Sequence, residues 1–297
     1  MQNFEIAAES GLMRGWIWGA ADQPLGLVFL HANGFNALTY RVILEAVAQQ
    51  SQHRVLAVDL RGHGRSEVAG DPDTLISWDI FAADLVGLFD ALWANTASTS
   101  LAPGLVLAGH SMGATSSLFA AAKMRARIKN LVLLDPVIFP PVFYRFFDLP
   151  FWGARITGSI PIAKQARSRR RDFASREEAF GAYLGRGAFR DWPEAMLRDY
   201  LQDGLRPTAT GFELSCPPTW EAALYSAQAA DPWKAVRRYE GFAHILYAEQ
   251  HSTLIRPGKL RAWRPDWRIE LVKGTHFFPM TSSALVIDAL SQAIVTP

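Results

Sequence analysis

Four short apolar runs constrain this chain more than any other feature: LVFLHA (27–32), RVLAVDL (54–60), GLVLAG (104–109) and NLVLLD (130–135). Each is apolar at consecutive positions, so each reads as a strand buried on both faces. Helical stretches separate them: about 40–50, about 77–93, and the small-residue run GATSSLFAAAKM. Strands alternating with helices of that length imply an α/β fold with a parallel sheet covered on both sides. NFEIAAES and LMRGWIWGA add two early strands around the turn at Ser10 and Gly11, and HILYAE (244–249) and RIELVKG (268–274) add two late ones. A mostly parallel, eight-stranded sheet is therefore expected, with a last helix over about 282–294.

Between residues 137 and 232 this rhythm stops. The stretch has two proline-rich patches, FPPVFY and CPPTW, a basic run RSRRR, and amphipathic pieces such as WPEAMLRDYLQ. No buried strand is evident in it, so it reads as a helical cap (lid) inserted into one core domain made of residues 1–136 and 233–297.

Composition excludes several classes of function. The formal charge of +2 is too small to draw the chain to nucleic acid or to a membrane surface. No apolar run approaches the roughly 20 residues that a membrane span needs. The N-terminal MQNFEIAAESG has neither the basic nor the apolar region of a signal peptide. The single cysteine, Cys216, allows no intramolecular disulfide and fits a reducing compartment, so a cytoplasmic protein is expected, as a monomer or homodimer.

The chemistry centres on VLAGHSMGAT. Gly109, His110, Ser111, Met112 and Gly113 form a G-x-S-x-G set between a strand and a helix. A serine on such a sharp turn is strained and needs the room its flanking glycines leave. Its hydroxyl is then exposed at the carboxyl edge of the sheet. The backbone N–H of Met112, at the positive end of the new helix, suits a developing oxyanion.

A serine hydroxyl needs a base to act as a nucleophile. Of the seven histidines, His110 is locked into the turn beside the serine, His63 lies in a Gly-rich turn and His53 precedes a strand. His276, in KGTHFFPM, follows the last strand and precedes the last helix. In a parallel sheet that is the carboxyl edge shared with Ser111, where ligands of such folds gather. One carboxylate stands out. Asp135 ends the apolar run NLVLLD with Pro136 behind it, and a charge at the edge of a core is costly unless something pairs with it.

These motifs together resemble the α/β-hydrolase superfamily over nearly the full length of the chain. FLHANGF resembles the family's H-G-x oxyanion loop, DLRGHGRS its D-x-x-G-x-G-x-S loop, and GHSMGA and the terminal GTH complete the order. The resemblance implies a Ser111–His276 pair and an oxyanion hole from the N–H groups of Met112 and Asn33. Ala32 stands where glycine is usual. Asn33 at this place resembles the H-G-N loop of haloalkane dehalogenases, which lends a side-chain donor too, but those enzymes have Asp as nucleophile where this chain has Ser111.

In most members the triad acid is an Asp in the loop after the seventh strand, in a stretch like G-E-x-D. Here the stretch is AEQHS, and His251 occupies the matching position. An imidazole cannot supply the negative charge that orients the catalytic histidine. Some branches, dehalogenases and pancreatic-type lipases among them, carry the acid after the sixth strand, which implies Asp135. Glu249 is the alternative acid, and an Asp135 that only caps the next turn is a third possibility.

In the cap, Arg167, Arg169, Arg170 and Arg171 suit either an anion site or a solvated helix face. Glu221, in CPPTWEAALY, fits a pocket-facing carboxylate or the start of a helix after proline. Phe139, Phe143, Tyr144, Phe146, Phe147, Phe151 and Trp152 favour an apolar acyl or aromatic group, or form the cap's own core. Substrate contacts are expected from His110, Phe139, Phe143 and Glu221. The cap is also similar to that of a bacterial and fungal branch of lipase-like hydrolases.

The expected function is hydrolysis of a small-molecule carboxylic ester or related acyl bond by a Ser–His–Asp triad, without metal or organic cofactor. The same triad serves C–C bond hydrolysis, acyl transfer and peracid formation. A ligand-binding sensor on the same scaffold is the alternative of another class.

Overall fold

The computed structural model describes residues 1–8, 11–94, 100–124, 127–128, 130–145 and 160–295. Strands β1 (Gln2–Ala8), β2 (Gly11–Trp18), β3 (Leu25–Leu30), β4 (Arg54–Val58), β5 (Leu101–His110) and β6 (Asn130–Leu134) come first. Three short strands follow, β7 (Asp172–Phe173), β8 (Leu205–Thr208) and β9 (Gly211–Leu214), and then β10 (Phe242–Gln250) and β11 (Arg268–Thr275). The main sheet has eight strands in the order β1-β2-β4-β3-β5-β6-β10-β11. β1 and β2 pair antiparallel, as do β2 and β4, and every other pair is parallel.

Alternate residues of the central strands face opposite layers, as the period of two requires. Val28, Leu30, Leu56, Val58, Leu107, Leu131 and Leu133 join Phe81, Leu85 and Phe89 of the helix Asp79–Ala94 and Leu118 of the helix Met112–Met124. Leu27, Phe29, Val55, Ala57, Val106, Ala108, Val132 and Leu134 face Ile43, Leu44 and Val47 of the helix Arg41–Ser51, with Val286 and Leu290 of the helix Ser283–Val295. Burial of a whole Leu, Val or Phe side chain stabilises the fold by about 1.5–3 kcal/mol. These two layers hold the carboxyl ends of β3, β5, β6, β10 and β11 along one edge.

The segment 137–232 is not helical throughout, contrary to expectation. Besides the helices Pro161–Arg167, Arg176–Tyr183, Glu194–Gly204 and Pro218–Ser226, it contains a three-stranded antiparallel sheet in the order β7-β9-β8. β8 is exposed after its first residue and carries Pro207, so no apolar alternation announces it. The helix Glu194–Gly204 is fastened by carboxylates to β2, to the helix Arg41–Ser51 and to the loop after β4. Asp199 accepts from Arg41 at 2.9 Å, and Asp203 accepts from the Trp16 indole at 2.7 Å and pairs with Arg65 at 3.2 Å. The Trp220 indole N–H donates to the Arg61 carbonyl at 3.1 Å. Among the described residues, no helix is long and apolar enough to cross a membrane.

Candidate active site

Ser111 sits between the end of β5 and the helix Met112–Met124, with a left-handed φ of 55°. That conformation is sterically costly for a residue with a side chain. It persists because neighbours enforce it: the Ser111 N–H donates to the Leu134 carbonyl at 2.9 Å. A Cβ on Gly113 would lie 2.3 Å from the Leu30 carbonyl oxygen, so only glycine lets the helix start pack against the end of β3. The N–H of Met112 belongs to the helix's first turn, which has no intrahelical acceptors.

Asp135 follows β6 with φ 42°, again left-handed, and is fully buried. Its Oδ2 is 2.5 Å from Nδ1 of His276, which follows β11. Oδ1 accepts from the Ser252 hydroxyl at 2.6 Å and the Ala248 N–H at 3.0 Å, and Oδ2 also accepts from the Thr253 N–H at 3.1 Å. Burial works against the carboxylate, but the bonds from His276, Ser252 and Ala248 outweigh it and hold its pKa below the ordinary value. Asp135 is ionised and aimed at the imidazole. Glu249, near the end of β10, and His251, in the loop where the resemblance places the usual acid, are both exposed. Ser252 and Thr253, next along that loop, act as donors to Asp135 instead. Sequence reading missed them, although Ser252 closes the stretch AEQHS that it singled out and Thr253 directly follows it.

The loop after β3 is braced by the loop after β4. His31 Nε2 accepts from the Leu60 N–H at 2.9 Å, and His63 Nε2 accepts from the Gly34 N–H at 3.2 Å. Buried Asp59 accepts from the Ala37 N–H at 2.7 Å and the Arg65 N–H at 2.9 Å. Desolvation raises the Asp59 pKa to about 7, and Asp203 adds to this. The Asn33 side-chain amide donates to the Glu221 carbonyl at 3.0 Å. One of the two N–H donors of that amide is therefore engaged within the protein.

This architecture matches the alpha/beta hydrolase family over residues 27–289. The chain belongs to that family. Protein phosphatase methylesterase 1 of Mus musculus is 30% identical to this hydrolase over 138 residues, 46% of this chain. The match spans only 34% of the methylesterase's own length. An epoxide hydrolase of Caballeronia sordidicola is 34% identical over 256 residues, covering 80% of this chain and 69% of that protein. Among solved structures, E-2-(acetamidomethylene)succinate hydrolase superposes with a TM-score of 0.75 at 21% identity, over 99% of this chain and 98% of that one.

Several expected contacts of the hydrolase fall elsewhere. His110, expected to touch substrate, is fully buried, and both ring nitrogens are bonded within the protein, to the Tyr40 hydroxyl at 2.8 Å and the His276 carbonyl at 2.9 Å. Glu221 is buried and pairs with Arg169 at 2.5 Å, whose other amino group donates to the hydroxyls of Tyr183 and Tyr200. The basic run thus splits. Arg169 turns inward, whereas Arg170 pairs with Glu178 and Arg171 with Glu213 at the surface, and Arg167 is exposed. Phe139 and Phe143 are half-buried, with tilted rings 4.8 Å apart, and packed against the core. Phe146, Phe147, Phe151 and Trp152 lie outside the described residues. The aromatic ring nearest His276 in sequence, Phe277, is 5.3 Å from it and contacts Phe35 and Trp192. That cluster continues into Phe189 and Tyr200.

Proposed function

We propose that the protein is a serine hydrolase that cleaves a carboxylic ester or related acyl bond, with segment 137–232 as its cap. The observation that carries this reading is the 2.5 Å contact between buried Asp135 and His276, on the same sheet edge as a serine in a left-handed turn. Ser111 Oγ attacks the acyl carbonyl as its proton passes to Nε2 of His276. Asp135 keeps the other ring nitrogen protonated and stabilises the imidazolium that forms. The N–H groups of Met112 and Asn33 hold the oxyanion. Collapse of the tetrahedral intermediate expels the alcohol, which takes the proton from His276. Water, deprotonated by His276, then attacks the acyl-enzyme and releases the acid and the free serine.

Phe35, Trp192 and Phe277 favour an apolar acyl or aromatic group beside the imidazole. No step needs a metal or organic cofactor. A reducing, cytoplasmic setting fits the single, buried Cys216. The relatives' names span a methyl ester, an acetamidomethylene succinate and an epoxide, so the bond cleaved is settled by assay. A fluorophosphonate probe should label the protein and fail to label Ser111→Ala. An ester panel of graded chain length, run beside an amide and an epoxide, should give its highest kcat/KM on an ester. Tight ligand binding with no labelling would instead favour a sensor on this scaffold.

A further inference from the structure

Three hydrogen bonds through two buried side chains link the loop that carries Asn33 to the loop that carries His276. The Ala32 N–H donates to the Tyr40 hydroxyl oxygen at 3.2 Å. Tyr40 and Nδ1 of His110 lie 2.8 Å apart, and Nε2 of His110 is 2.9 Å from the His276 carbonyl oxygen. Tyr40 and His110 are both fully buried.

The donors and acceptors allow only one arrangement. A carbonyl oxygen only accepts, so His110 carries its proton on Nε2. Its Nδ1 is then an acceptor, and Tyr40 donates to it. The hydroxyl oxygen is left to accept from Ala32. Burial, together with nearby His276, lowers the His110 pKa to about 3, so the ring stays neutral while His276 cycles through its cationic form. The two imidazoles are 4.8 Å apart, and a second cation there would oppose the first.

We propose that Tyr40 and His110 are positioning residues that set His276 and the Asn33 loop in register with Ser111. The inference rests on the triad reading above. Ser111 adjoins His110 in the chain, and the relay runs from one side of the serine to the other. Without the Tyr40 hydroxyl, the Ala32 N–H and His110 Nδ1 both lose a partner in a dry site. The ring is then free to take the other tautomer, which turns a lone pair toward the His276 carbonyl. His276 and the oxyanion donor then move independently, and misplacement by about 1 Å can cost on the order of 100-fold in rate.

The test compares wild type, Tyr40→Phe, His110→Gln, His110→Leu and the Tyr40→Phe, His110→Gln double variant on p-nitrophenyl acetate, with fluorophosphonate labelling rates. Tyr40→Phe should lower kcat and the labelling rate by about 10- to 100-fold, with KM within about threefold. His110→Gln keeps a donor near the His276 carbonyl and should lose less than His110→Leu. The double variant should be little worse than the poorer single one, because the groups act as a unit. A second readout needs no turnover: the downfield proton resonance of the His276–Asp135 bond should shift or broaden in Tyr40→Phe. An unmoved resonance with wild-type rates overturns the proposal, and so does full additivity. A wild type that never labels but whose resonance moves in Tyr40→Phe overturns the hydrolase reading and leaves the relay standing.

Discussion

Oδ2 of Asp135 and Nδ1 of His276 lie 2.5 Å apart although 141 residues separate them in the chain. Burying a carboxylate is costly unless it is paired and hydrogen-bonded, and here four groups contributed by β10, its following loop and His276 meet that cost. Asp135→Asn should keep the fold and lower kcat by about 10³- to 10⁴-fold, since an amide no longer favours the reactive tautomer or stabilises the imidazolium. Glu249→Gln, altering an exposed side chain, should stay within about twofold of wild type. Steady-state kinetics on both variants decide the assignment: an inactive Glu249→Gln beside a normal Asp135→Asn would reverse it.

The hold of segment 137–232 on the Gly-rich loop gives the second prediction. A Cβ on Gly62, where φ is 72°, would lie 2.3 Å from Nε1 of Trp220, so the indole occupies space that only glycine leaves. Trp220→Ala should cost about 3–5 kcal/mol of stability, through lost burial and the cavity that remains. Gly62→Ala should also destabilise, by more than about 1 kcal/mol, because both the backbone angle and the indole oppose it. Urea unfolding curves measure both. A Trp220→Ala midpoint equal to that of wild type would show that the packing contributes little.

Much of this architecture is legible in the sequence, for a physical reason. The central strands of the main sheet are buried on both faces, so they print as continuous apolar runs. The turn at Ser111 prints because its flanking glycines, Gly109 and Gly113, leave no room for a Cβ. Asp135 is legible as a misplaced charge, but its donors Ser252 and Thr253 are not: their role depends on a contact spanning 117 residues or more. β8 and β9 are four residues each, β8 mostly exposed and β9 mostly half-buried, so burial leaves no alternating pattern on them. His110 reads as a site residue from its place next to Ser111, yet its partner Tyr40 sits 70 positions away with no local signal. Arg169 prints as one of a run of surface cations, and only the fold separates it from Arg170 and Arg171.

The Arg169–Glu221 pair yields the third prediction. Glu221 is 7% exposed and Arg169 21% exposed at the side chain. Burial raises the Glu221 pKa against the pull of the guanidinium. Removing one member of a buried pair leaves an uncompensated charge, at a cost of about 3–5 kcal/mol. Arg169→Met alone should therefore unfold at lower urea than Arg169→Met combined with Glu221→Gln. Additive losses in that double-mutant cycle would mean that the two side chains do not interact.

Acid stability gives the fourth prediction. His31, His63 and His110 are all buried, and desolvation is the largest cause lowering each pKa from 6.5: His63 to about 4, His110 to about 3, and His31 well below its usual range. Each also uses one ring nitrogen as an acceptor, from Leu60, Gly34 and Tyr40 in turn, and protonation would abolish that bond. Above the unfolded value of 6.5 neither state binds these protons, so they exert no pull. As pH falls below it, the unfolded chain takes up three protons that the native protein refuses, and stability is lost through the folded values. Each histidine contributes a slope of up to about 1.4 kcal/mol per pH unit, or about 2 kcal/mol between pH 8 and pH 5. Buried Asp59, its pKa raised to about 7, takes up a proton in the native state over the same range and offsets about one histidine. Unfolding free energies should still fall below pH 6.5, and His63→Gln should remove one histidine's share of that slope. An unchanged slope in His63→Gln would show that the His63 imidazole can be protonated within the native fold.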